Sequence, residues 1–220
     1  SLKRTGLDYF DIFYSHCFDP NVPLEETMGA LDTAVTQGKA LYVGISSYIT
    51  AQTKEVLQIS KSRGFVKPVI HQPNYSMLNR WSEDKLLDYC FQHGIGIIAF
   101  CPLFQGLLTD KYINGIPEAS RARIQQSPLR KNEISEQNIR VIQELNEMAK
   151  SRGQSLAQMS LSWVLRTDKV TSALMGASSV DQIRDNLKAV QNLCFTQEEE
   201  DRIDRIVAKI NLPKSLWASE

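Results

Sequence analysis

The chain has 220 residues, 25 Lys+Arg against 25 Asp+Glu, and a hydrophobic fraction of 42%. Neutral, scattered charge excludes the basic face of a dedicated nucleic-acid binder, and the apolar content is enough for a sizeable core. No apolar run approaches the ~20 residues a membrane span needs, so membrane insertion is not expected.

Ser1-Leu2-Lys3-Arg4 runs into a mixed segment rather than an apolar leader. The chain opens as if inside an element, because LKRTGLDYF reads as a helix end entering a strand. Leu7–Ser15 is the first predicted strand. Pro23-Leu24-Glu25-Glu26 opens a helix with acids where the helix dipole favours them, and Leu24, Met28, Leu31 and Val35 repeat at helical spacing up to Gly38. Ala40–Ile45 is a second strand. Thr50 is the expected cap of a helix that carries Val56, Leu57 and Ile59 and ends at Gly64.

Pro68–Tyr75 is the third predicted strand. A helix after Ser82, with Leu86, Leu87, Cys90 and Phe91, ends at Gly94, and Ile95–Phe100 is the fourth strand. From Cys101 to about Ile134 runs a long excursion punctuated by Gly and Pro, and such loops are usually functional. Ser135 caps a helix with Ile139, Ile142, Leu145 and Met148, and Ser155–Arg166 is another. Val170–Met175 is the fifth strand. Helices follow at Ser178–Val190 and Thr196–Ile210, the last with Ile203, Ile206, Val207 and Ile210 on one face.

Short apolar strands alternating with amphipathic helices predict a parallel α/β sheet, either open and doubly wound or closed as a (β/α)8 barrel. No GxGxxG turn supports the open dinucleotide-binding sheet. Polar or small residues end each strand: Ser15-His16, Ser46-Ser47, Gln72, Cys101 and Gly176-Ala177-Ser178. That rim is functional in either architecture. A whole barrel has eight strands and about 250 residues. Five strands therefore predict a single domain over residues 1–220 that holds only about strands 4–8 of a TIM barrel.

The four cysteines, Cys17, Cys90, Cys101 and Cys194, are far apart and form no CxxC. They read as free thiols in a reducing compartment, so a cytoplasmic location is expected. No zinc spacing exists among them and the three histidines, so no metal is expected.

The stretches LKRTGLDYFDIFYSH, VPLEETMGALDTAVTQGKALYVGISSY, HQPNYSMLNR, GIGIIAFCPLFQGLLTDKY, GIPEASR, RGQSLAQMSLSWVLR and GASSVDQIRDN carry a resemblance. Together, in this order, they resemble the aldo-keto reductase superfamily, in the branch of L-glyceraldehyde 3-phosphate reductases and voltage-gated potassium-channel β-subunits. The resemblance implies a (β/α)8 barrel that binds NADP(H) at the strand C-termini and reduces carbonyls. It assigns His16, at the end of DIFYSH, to the catalytic set, where an imidazole holds the substrate carbonyl by a hydrogen bond. The family's Asp, Tyr and Lys come from earlier strands, and no motif here matches them. A fragment of a longer reductase, without roughly the first three strands, is the expectation.

The same resemblance implies the cofactor contacts. Ser46, Ser47 (where much of the family has Asn) and Gln72 hold the nicotinamide carboxamide, and Phe100 stacks on the ring. Cys101, Pro102, Leu103, Gln105 and Gly106 approach the pyrophosphate, with Lys111 on a phosphate and Arg121 near the adenosine phosphate. Gly176 and Ser178 open a helix whose N-terminus attracts the 2′-phosphate, and Gln182, Asp185 (usually Glu) and Asn186 hold adenine. Trp217 is assigned to the substrate mouth. His71 and His93 take no family role.

Three functions follow from the resemblance. The first is NADPH-dependent reduction of small aldehydes, glyceraldehyde 3-phosphate or methylglyoxal-like, in the full-length protein. The second is an NADP-binding regulatory subunit like the channel β-subunits, which tend to lack histidine at the position of His16. The third is a non-catalytic truncated remnant. A homo-oligomer is compatible with each.

Overall fold

The structure, a computed structural model, describes residues 1–118, 120, 129 and 133–212. These fall into two compact units, residues 1–74 with 81–98, and residues 75–80 with those from 99 onward. In chain order the first unit contains α1 (Leu2–Thr5), β1 (Phe10–Ser15), α2 (Leu24–Thr36), β2 (Ala40–Ser46), α3 (Thr50–Arg63), β3 (Ile70–Gln72) and α4 (Leu86–Gln92). Strand β4 (Gly96–Phe100) ends in the second unit, which continues with α5 (Glu136–Ser151), α6 (Leu156–Val164), β5 (Ser172–Leu174), α7 (Val180–Leu187) and α8 (Gln197–Val207).

The strand order is β1-β2-β3-β4-β5, and β1/β2, β2/β3 and β3/β4 pair in parallel. Sequential strands lie side by side because a helix carries the chain back after each one. The register sets Ser15 opposite Ile45 and Ser46 opposite Gln72, so the C-terminal ends of β1, β2 and β3 line up. Gly44 allows the strands to close at one point. A Cβ there would lie 2.5 Å from the Tyr14 ring and 2.8 Å from Ile70 Cγ2.

Helix α2 packs Leu24, Met28 and Leu31 against Val43, Ile45, Tyr48 and Val56, with Phe18, Val35, Ile59, Phe65 and Val66 around them. Each such aliphatic side chain, once buried, contributes about 1.5–3 kcal/mol. The predicted face of α2 is the buried face.

In the second unit, α5 packs on α6 and α8. Val141, Ile142, Leu145 and Met148 are buried, whereas the predicted Ile139 is half-exposed. Arg152 fastens the α5–α6 turn to the approach of α8. Its guanidinium donates to Gln154 Oε1 (3.0 Å) and Cys194 O (2.9 Å), meets Glu199 at 2.6 Å and stacks 3.8 Å from the Phe195 ring centre.

Several predicted boundaries move. Only Ile70–Gln72 pairs as β3 instead of 68–75, because Pro73 has no N–H to give a ladder. Strand β5 is likewise three residues long. Thr50 is not the cap of α3 but its first residue; Ile49 precedes it and donates its N–H to Gln52 Oε1 at 3.0 Å. Ser82 lies in a short 3₁₀ turn, Trp81–Glu83, and α4 starts at Leu86. The cap expected at Ser135 is present, and Thr196, predicted only as the start of its helix, is a cap too, each accepting a main-chain N–H three residues on.

Candidate active site and cofactor cleft

Strand β1 delivers His16 to its C-terminal end, where the residue is exposed and its Nδ1 lies 3.3 Å from Cys17 Sγ. Beside it, β2 ends at Ser46. The Ser46 hydroxyl donates to the Gln72 carbonyl at 2.8 Å, and the Ser47 N–H reaches the same oxygen at 3.4 Å. Ser47 adopts φ 57°, a conformation that costs a non-glycine residue about 1–3 kcal/mol. Its Oγ is buried and has no hydrogen-bond partner among the described residues. Leaving a buried hydroxyl so costs about 1–3 kcal/mol.

Gln72 is half-buried and its side chain hydrogen-bonds Tyr14. Burial raises the Tyr14 pKa, opposed by that bond, so the phenol stays protonated and orients the carboxamide. His71 is fully buried, and desolvation lowers its pKa to about 4. It is neutral near pH 7 and sits in the core rather than at the rim. His93 ends α4 with Nδ1 2.8 Å from Tyr89 O. Neither histidine lines the cleft described below.

The second unit holds a cleft of about 1670 Å³, larger than the ~300–1,000 Å³ of ordinary small-molecule sites. One wall is the loop after β4, with Phe100, Cys101, Pro102, Leu103, Gln105, Gly106 and Lys111. Its backbone is left-handed at Cys101 (φ 55°), Phe104 (φ 45°) and Gln105 (φ 56°). Within the loop the Phe104 N–H donates to Cys101 O and the Gly106 N–H to Leu103 O, each at 2.9 Å. Gln105 Nε2 donates to Cys101 Sγ at 2.9 Å, and burial raises the Cys101 pKa against that bond. Cys101 thereby serves as an acceptor that ties Gln105 into the loop.

The other wall is β5 and α7, with Gly176, Ser178, Gln182, Asp185 and Asn186. Ser179, not Ser178, caps α7, accepting the Gln182 N–H at 3.2 Å. Ser178 instead donates its N–H (2.8 Å) and its hydroxyl (3.1 Å) to Gln182 Oε1. Asp185 is held by Gln158 Nε2 at 2.9 Å and Lys188 Nζ at 3.1 Å, and Asn186 is buried.

The cleft thus joins twelve of the residues expected to hold the cofactor. His16, Ser46, Ser47 and Gln72 form a separate group at the strand ends of the first unit. Arg121 and Trp217 lie outside the described residues. The sequence reading missed Asn146, Lys150, Ser155 and Ala157, which line the cleft from α5 and the start of α6. The Ser155–Gln158 capping box was the available signal, since it marks a helix N-terminus that faces the cleft. Among the described residues no three His, Cys, Asp or Glu side chains gather as a metal site, and no helix is long and apolar enough to cross a membrane.

The chain is similar to several known proteins. The L-glyceraldehyde 3-phosphate reductase of Escherichia coli K12 is 48% identical over 221 residues, covering 99% of this chain. The chain spans 63% of that relative's length. A probable voltage-gated potassium channel subunit beta of Oryza sativa is 32% identical over 94% of the chain and 64% of its own length. The crystal structure of a thermostable aldo-keto reductase, Tm1743, solved with the inhibitor epalrestat, superposes with TM-score 0.70 at 28% identity. That match covers 93% of this chain and 62% of the other. The parallel five-stranded α/β architecture is that of a partial (β/α)8 barrel. The family model for aldo/keto reductases matches residues 1–208, and the chain belongs to the aldo/keto reductase family.

Proposed function

We propose that this chain is the greater part of an NADP(H)-dependent reductase of small aldehydes, of the glyceraldehyde 3-phosphate or methylglyoxal type, acting in the cytoplasm. The observation that carries the reading is the cleft. It gathers the loop after β4 and the start of α7, two stretches distant in sequence, around a space of about 1670 Å³.

The residues fit the cofactor. The loop 101–106, left-handed at Cys101, Phe104 and Gln105, forms one wall of the cleft and suits the close approach of a pyrophosphate, with Lys111 as a cation on the same wall. The N-terminus of α7, with the Ser178 and Ser179 hydroxyls, suits the 2′-phosphate. Gln182 and Asn186, one turn apart, suit adenine. The orphan Ser47 hydroxyl and the Tyr14-oriented Gln72 carboxamide suit the nicotinamide amide. When bound, NADPH supplies the hydride.

His16 holds the substrate carbonyl by a ring N–H hydrogen bond and so fixes which face is presented. No residue of this chain is assigned as the proton donor. The reading as a channel-type regulatory subunit is weaker, at 32% identity against 48%, and it does not use His16.

Turnover tests the proposal. A chimera joins this chain to the stretch of the Escherichia coli relative that it does not span. It is predicted to oxidise NADPH with glyceraldehyde 3-phosphate, and His16→Ala to lower kcat at least tenfold while NADPH affinity holds. Equal turnover in that variant removes the role of His16. No turnover with any small aldehyde removes the reductase reading.

A further inference from the structure

His16 stands at an exposed strand end, yet the residues on either side of it rest on one buried side chain. Tyr48 is 1% exposed. Its hydroxyl lies 2.8 Å from Ser15 Oγ, on the residue before His16. Its ring meets Phe18 edge-on, with centres 5.9 Å apart at 80°. The short step from Ser15 to Phe18 is therefore held at both ends by the same ring.

Tyr48 is itself fixed from a third strand. Its carbonyl can only accept, so His71 Nε2 carries the proton in the 3.0 Å contact between them. The next residue, Gln72, offers its carbonyl to the Ser46 hydroxyl and the Ser47 N–H. Tyr48, two residues beyond the end of β2, thus meets β1 through Ser15 and β3 through His71. Burial raises the Tyr48 pKa, with the Ser15 bond opposing, so its hydroxyl stays protonated at neutral pH.

We propose that Tyr48 is a positioning residue that sets His16 and ties its place to Ser46, Ser47 and Gln72. This deepens the reductase reading and rests on it for the meaning of His16. The physical logic is that of preorganisation. A carbonyl-binding imidazole acts only if its distance to the bound nicotinamide is set in advance, and misplacement by about 1 Å can cost about 10²-fold. An exposed strand end cannot supply that alone, whereas a hydroxyl and a ring edge on one buried residue can.

The test needs neither cofactor nor substrate. The chain has three histidines, so imidazole C–H cross-peaks in a histidine-labelled sample report His16, with His93 as an internal control. Tyr48→Phe keeps the ring and removes only the hydroxyl. Ser15→Ala removes the other half of the same bond. Each variant is expected to shift the His16 peak in the same direction, the double variant no further than the larger single shift, and His93 not at all. Phe18→Leu is expected to move the same peak through the other support. An unmoved His16 peak in folded Tyr48→Phe overturns the proposal, as do additive shifts in the double variant. Because the readout is structural, a failed turnover experiment leaves it standing, and an unmoved peak leaves the reductase reading standing.

Discussion

The buried His71 imidazole donates its Nε2–H to the main-chain carbonyl of Tyr48 at 3.0 Å, joining β3 to the loop after β2. Burial lowers its pKa to about 4 from the usual 6.5. Between these values the unfolded chain binds the extra proton and the folded chain does not, so stability rises with pH there. The contribution is fully present above about pH 6.5 and is lost as pH falls through about 4, up to about 3 kcal/mol in all. Urea unfolding at pH 7, 5.5 and 4.5 is expected to show this fall, with a flatter profile in His71→Gln.

Gly44 lies between Tyr14 and Ile70 on its two neighbouring strands. A methyl group there would meet the Tyr14 ring at 2.5 Å. Gly44→Ala is expected to cost about 1–3 kcal/mol by overpacking. Because Tyr14 orients Gln72, the change is also expected to weaken NADPH binding; thermal unfolding and a cofactor titration measure the two effects separately.

Arg152 makes its ion pair with Glu199 while its own side chain is only 5% exposed. Removing one partner of such a pair strands the rest of the network. Arg152→Ala is expected to destabilise the chain by about 3–5 kcal/mol, read by urea unfolding at pH 7. Glu199→Gln, on the more exposed side, is expected to cost less.

Helix α7 and the turn after it carry an exposed apolar stripe, with Val180 61%, Ile183 42%, Leu187 56% and Val190 60% exposed. Contiguous apolar surface of this kind promotes association. The chain is expected to self-associate in a concentration-dependent way. Ile183→Glu with Leu187→Glu is expected to weaken that at least tenfold, or about 1.4 kcal/mol, by sedimentation velocity. Neither residue lines the cleft, so cofactor affinity is expected to hold.

The alternation of strands and helices was legible because apolar periodicity and capping residues are local. Leu24, Met28 and Leu31 lie on the buried face as their spacing predicts, and Thr196 with Glu199 forms the capping box that opens α8. The left-handed backbone at Ser47, Cys101, Phe104 and Gln105 was not legible, because none of these is glycine and the strain is imposed by the surrounding fold. Spacing alone could not tell whether Ser178 or Ser179 caps α7, since both lie within reach of the first turn. Asn146 and Lys150 reach the cleft through helix packing, which no local pattern encodes. The roles proposed for His16 and Gln72 came from motif resemblance, while the contacts of Tyr48 with Ser15 and of Tyr14 with Gln72 emerged only in three dimensions.

The central claim is that these residues hold NADP(H), and titrating the 220-residue chain with NADPH by fluorescence tests it most directly. The account predicts saturable binding, weakened about tenfold, or about 1.4 kcal/mol, in Gln182→Ala and in Gln72→Ala, and unchanged in His16→Ala. Absence of saturable binding, or equal affinity in both glutamine variants, would contradict it.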